Sequence, residues 1–217
     1  MKDPMESSIS MFNSEPSKFA VRKYKSCEKK QIIAYMWAFD FYSAGGNIED
    51  CVTGERLEDE DIGFEDGEFG WSTQDIYHIE KYNAAVSDSF LQKVLEIGSQ
   101  GLKAMQETVK EMRRGNVQAI IDGVRSEDAY IAFHAIMSGV KHQVKERAFI
   151  DEVKKHRESQ RVMYDIPVKS VAEAAVIYLE RRTYTGGNPD VENFINGGFS
   201  GYNWQEECKP IVKRSWD

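Results

Sequence analysis

The sequence predicts a mainly α, single-domain helical bundle of about five to seven helices. One small irregular or hairpin acidic segment is expected near residues 47–70. Three observations carry this reading. Apolar residues recur every three to four positions over two long stretches, 87–112 and 126–153. Ser, Thr and Asp stand where helices would begin, and Gly or Pro where they would end. A chain of 217 residues, 41% hydrophobic and 12% aromatic, is long and apolar enough to close a core.

Residues 1–20 are polar and aperiodic, and are expected to be a flexible N-terminal tail. The single helical domain then runs from 21 to 217. From Cys27 to about Ser43, Ile32, Ile33, Tyr35, Met36, Trp37, Phe39 and Phe41 crowd together before Gly45 and Gly46, which predicts a helix buried on most sides; a strand pair is the alternative, and the unbroken length without a turn signal favours the helix. Residues 51–57 read as a tight hairpin turning at Thr53-Gly54, or as an irregular loop. Glu58 to Gly70 reads as an extended, exposed loop, because acids at that density repel one another and apolar anchors are few. Ser72 or Thr73 caps a short helix to Tyr82, with Asp75 in its first turn, where a negative charge suits the helix dipole.

Ser87 caps the next helix, and the stretch reads equally as one long helix with a weak joint at Gly98 and Gly101 or as two helices, with a stop at Gly115-Asn116. Val117 to Val124 is either a short strand or a helical turn. A long helix is expected from Ser126 towards Arg157, acidic at its start and basic at its end, packed beside the helix from Ser87. Ile166-Pro167 breaks the chain. Ser170 and Glu173 read as a capping box for a helix to about Arg182. A short helix from Pro189 to Ile195 and a last one after Trp204 complete the bundle.

Charge is distributed unevenly. Residues 46–89 hold thirteen acids against Arg56 and Lys81, a net −11, while the flanks are close to neutral and the whole chain is −8. The low pI of 5.2 argues against non-specific binding to nucleic acid or to an anionic membrane by the whole molecule. Cys27, Cys51 and Cys208 are odd in number and far apart, which predicts free thiols in a reducing cytoplasm. No apolar run is long enough to span a bilayer.

No motif assigns catalytic residues, a metal or a cofactor. Asp59, Asp61 and Glu65 fail the calcium-loop pattern, because Phe64 and Gly70 occupy the positions that need Gly and Glu. His78, His134, His142 and His156 lack the spacing of a zinc site. The glycines at 186–187 and 197–201 read as turns. Two surfaces remain. Glu58, Asp59, Glu60, Asp61, Glu65, Asp66 and Glu68 form a candidate docking face for a basic protein partner. Lys141, Lys145, Lys154, Lys155, Arg157 and Arg161 form an alternative, nucleic-acid-binding face, although acids are interspersed among them. A third reading is an enzyme whose site gathers distant residues around a histidine such as His134. A homodimer is a further candidate state.

The segment Gly70-Trp-Ser-Thr-Gln-Asp-Ile-Tyr-His-Ile-Glu-Lys-Tyr-Asn83 resembles stretches in uncharacterised accessory proteins of temperate bacteriophages. The resemblance implies a bacterial or phage cytoplasmic setting and gives no residue a role. The leading expectation is therefore an acidic interaction protein that binds and regulates, or inhibits, a basic and nucleic-acid-binding host protein.

Overall fold

Helix α1 (Ser26–Met36) opens with Glu28 reaching back to the Lys25 N–H at 2.9 Å. It stops seven residues short of the expected end, and the chain passes instead into strand β1 (Phe41–Glu49). Two non-local contacts explain the early stop. The Trp71 indole donates to the Met36 carbonyl at 2.9 Å, satisfying an orphan acceptor of the helix end. Phe41 pairs with Phe64 across an antiparallel ladder. The computed structural model describes residues 20–199. The expected tail up to residue 19, the helix after Trp204 and Cys208 lie outside the described residues.

The acidic segment is a strand rather than a loop. Strand β2 (Arg56–Glu65) pairs antiparallel with β1 and, at its far end, with β3 (Gly70–Ser72), giving the order β1-β2-β3. A strand suits consecutive acids: neighbours point to opposite faces, and like charges two residues apart stand about 6.6 Å apart. Ile62 and Phe64 anchor its last turn of the ladder in the core, at 5% and 1% exposure. Trp71 is the centre of that core. Its ring lies 5.4 Å from Phe39, 5.7 Å from Phe90 and 5.9 Å from Tyr35, in edge-on or tilted pairs that suit the aromatic quadrupole.

Helix α2 (Thr73–Tyr82) begins as expected. Ser72 is its cap, and the Ser72 N–H donates to Asp75 at 2.8 Å. Helix α3 (Asp88–Arg113) is capped by Ser87, whose hydroxyl accepts the Phe90 N–H at 3.2 Å. Its joint falls at Gly98, with φ of 63°, and its stop at Gly115, with φ of 85°. These elements and those that follow form two compact units, divided between Lys103 and Ala104, where the sequence reading has one domain.

In the second unit, α4 (Val117–Val124) resolves the ambiguous segment as a helix capped by Asn116. The long helix expected from Ser126 is two helices. Asp128, not Ser126, caps α5 (Ala129–Lys141), and α6 (Arg147–Lys155) follows after Gln143 turns left-handed at φ 55°. Helix α5 packs mainly against α4 and α7 (Val168–Glu180), rather than against α3. A two-residue hairpin precedes α7: β4 (Val162–Met163) and β5 (Ile166–Pro167) flank Tyr164 and Asp165, both at positive φ, as the right-handed twist of tight hairpins favours. Ser170 lies inside α7, 1% exposed, so it is no cap. Helix α8 (Pro189–Asn193) runs into a π-helical turn, Phe194–Gly198. The fold is thus mainly α, with two small antiparallel sheets, and is not a pure helical bundle.

Gly139 is where α5 approaches the following segment most closely, because a Cβ there would fall inside the Phe149 ring. Gly139→Ala is therefore expected to cost about 1–3 kcal/mol through overpacking, read as a lower midpoint in urea unfolding.

Candidate functional site

The β1–β2 hairpin turns through residues 50–55, with Gly54 at φ 73°. Its tip is built on Asp50, which is fully buried. One carboxylate oxygen accepts the N–H groups of Val52 and Thr53, at 2.9 and 3.2 Å. The other accepts Tyr77 and Tyr82 hydroxyls at 2.8 and 2.5 Å and the Lys81 ammonium at 2.8 Å. Lys81 lies one turn beyond Tyr77 on the same face of α2, and Tyr82 follows at the end of the helix. Burial pushes the Asp50 carboxyl up, but the Lys81, Tyr82 and Tyr77 bonds outweigh it and hold the group well below the usual carboxylate range.

Beside this anchor, Cys51 Sγ lies 3.1 Å from His78 Nε2, and the Cys51 N–H donates to the same nitrogen at 3.2 Å. Burial holds His78 below its ordinary value, and burial together with the Asp50 charge pushes the Cys51 thiol up. The pair therefore rests as neutral thiol and neutral imidazole. A cysteine nucleophile needs the opposite, a lowered thiol value. The backbone N–H groups of this turn are also engaged, those of Val52 and Thr53 with Asp50 and that of Cys51 with His78. The geometry is that of a second clip between the hairpin tip and α2.

The seven acids singled out in the sequence divide by direction. Asp66, 3% exposed, closes the turn after β2: one oxygen accepts the Glu68 and Phe69 N–H groups at 2.9 and 2.8 Å. The other accepts the Tyr35 hydroxyl at 2.6 Å and pairs with Lys93 at 3.0 Å. Glu68 shares Lys93, at 2.9 Å. Asp61 accepts the Gln74 N–H at 3.0 Å and so caps α2 from the neighbouring strand. Asp59 and Glu65 are half-buried. Glu58 and Glu60 point outward, and Glu49 and Glu55 beside the tip, outside the original seven, join them. Among the described residues these four have no ion-pair partner. Val52, 59% exposed, stands on the tip, in the turn between Glu49 and Glu55.

Asp75 is the one acid near neutrality. Burial lifts its carboxyl to about 7, opposed by the Ser72 N–H and helped by the Asp61 charge. A carboxyl raised above its unfolded value of about 3.9 adds stability below that pH and loses it as pH rises through the folded value. Asp75→Asn keeps an oxygen for the Ser72 N–H. Its stability relative to wild type is expected to rise between pH 5 and pH 8, and an unchanged difference across that range would contradict the assignment.

The alternative, basic face is largely occupied by its own unit. Lys154 pairs with Glu180 at 2.8 Å, Lys155 with Glu152 at 2.7 Å, and Arg161 donates to the Ser126 carbonyl at 2.9 Å. Arg157 is half-buried beside Glu180, and Lys141 and Lys145 stand exposed. The histidines serve structure: His142 meets the Arg113 carbonyl at 2.9 Å and His156 the Val124 carbonyl at 2.6 Å. His134, fully buried, lies among the rings of Tyr130, Phe133 and Tyr164, with Nε2 3.3 Å from the Tyr164 hydroxyl. Among the described residues no three His, Cys, Asp or Glu side chains gather as metal ligands, and no helix is long and apolar enough to cross a membrane. Comparison with known proteins finds no match among family models, curated proteins or solved structures.

Proposed function

We propose that the β1–β2 hairpin docks on a basic protein surface, such as a Lys- and Arg-lined groove that otherwise holds nucleic acid, and regulates or inhibits its owner. The observation that carries this reading is the outward quartet, Glu49, Glu55, Glu58 and Glu60, exposed and, among the described residues, without an ion-pair partner; Arg56, the only base on the hairpin, lies across the ladder from Glu49. Unneutralised charge on a rigid support speeds encounter with an opposite surface and selects against like-charged ones. Val52, exposed in the hairpin turn, supplies an apolar point at one end of that charge. The resemblance of residues 70–83 to phage accessory proteins suits a bacterial host factor as the owner.

The test is capture from a bacterial lysate, with and without nuclease, by wild type and by the quartet changed to Gln. Binding is expected to survive nuclease, to weaken as salt rises, and to fall roughly tenfold or more in the Gln variant. Equal affinity and an equal salt slope for the two proteins would overturn the proposal. Capture that vanishes with nuclease would point to nucleic acid instead.

A further inference from the structure

We infer that the outer edge of β1 is a strand-addition site for an extended, cationic segment of a protein partner. This rests on the docking role proposed above and specifies how the docking occurs. In the order β1-β2-β3, β1 is an edge, and among the described residues no strand pairs with its outer side. The opposite edge of the hairpin is closed over residues 60–65. Strand β3 takes β2 at 63–65, and the Thr73 hydroxyl accepts the Ile62 N–H at 2.9 Å while donating to the Glu60 carbonyl at 2.8 Å. Edge strands are ordinarily guarded by Lys, Pro or bulges. Strand β1, Phe-Tyr-Ser-Ala-Gly-Gly-Asn-Ile-Glu, has neither Lys nor Pro, and its register shifts bend it. Its Glu49 N–H is already taken by Gln74 Oε1 at 3.1 Å, which leaves 45–48 as the open stretch. Gly45, Gly46 and Asn47 are exposed, and a Cβ on Gly46 would meet nothing within 4 Å.

Charge chooses the occupant. A second copy of this chain would bring two acidic hairpins together, which like-charge repulsion opposes. A strand bearing Lys or Arg at alternate positions would place those side chains on one face. Adjacent strands lie about 4.8 Å apart, so a Lys on an added strand must reach over β1 to the carboxylates of β2. The low profile of Gly45 and Gly46, next to the Asn47–Glu60 pair, leaves that path open. Backbone bonds to the edge would supply affinity, and the carboxylates the preference for a basic sequence.

The probe is a short peptide of alternating Lys and Thr, compared with the same peptide N-methylated on alternate backbone amides, which keeps every charge and removes the ladder donors. Binding to the full chain is read by fluorescence anisotropy and by amide hydrogen exchange. The unmethylated peptide is expected to bind roughly tenfold or more tightly than the methylated one, and to slow exchange at residues 45–48. Equal affinity for both peptides, without protection at 45–48, would overturn strand addition and leave acidic docking standing. Binding of neither at low salt would overturn strand addition, and the lysate capture would then judge the docking role separately. Self-association of the free protein with protection at 45–48 would also overturn it, by assigning the edge to a second copy.

Discussion

Asp50→Asn is expected to lower stability by about 2–4 kcal/mol, seen as a shifted urea midpoint. The change is nearly isosteric, so lost packing contributes little. What changes is polarity. Five donors converge on the carboxylate: two backbone N–H groups, two tyrosine hydroxyls and an ammonium. An amide turns one acceptor into a donor facing them, inside a fully buried site. Lys81→Met should cost less, because Asp50 keeps four of its five donors and the Lys81 side chain, 42% exposed, lies where solvent reaches. The direction of the Asp50 shift adds a pH signature. A depressed carboxyl contributes stability above its unfolded value of about 3.9 and loses it as pH falls through the folded value, so the cost of Asp50→Asn should shrink in strong acid.

Asp66→Ala is expected to cost about 3–5 kcal/mol, because it leaves Lys93 without its most buried partner and orphans two buried N–H groups and the Tyr35 hydroxyl. Lys93 is 21% exposed, so little water is at hand to replace the carboxylate. The double variant Asp66→Ala with Lys93→Met should lose less than the two single losses combined, since it removes an ammonium left with Glu68 alone as its partner. Strict additivity would show that the pair does not couple. Asp50 and Asp66 flank β2, one fixing the turn before it and the other the turn after it. Much of the segment's acidity therefore holds the segment in place.

The helix boundaries that local chemistry determines were legible in the sequence. Ser72 with Asp75, Ser87, Gly98 and Gly115 all act within a few residues of themselves, and each does what its residue type suggests. The hairpin turn at Thr53-Gly54 was legible too, but the extent of the strands on either side was not, since it depends on distant partners. Phe41 belongs to a strand because Phe64 lies across from it, and α1 ends where Trp71 takes the Met36 carbonyl. The same distance hid the fate of the acids. Lys81 and Asp50 are 31 residues apart, and no local pattern marks which carboxylate an ammonium will reach. Charge density located the candidate surface, but it included Asp66, which faces inward, and omitted Glu49 and Glu55, which face out. On α5, an unbroken apolar stripe concealed the left-handed turn at Gln143, which tertiary packing imposes on a residue with no special preference for it.

The most direct measurement is the unfolding free energy of the protein with Glu49, Glu55, Glu58 and Glu60 all changed to Gln. If these carboxylates are spare, their removal should leave stability within about 0.5 kcal/mol of wild type, or raise it by relieving repulsion. A loss as large as that of Asp50→Asn would mean that the outward acids also hold the fold together, and that no free charge remains for a partner.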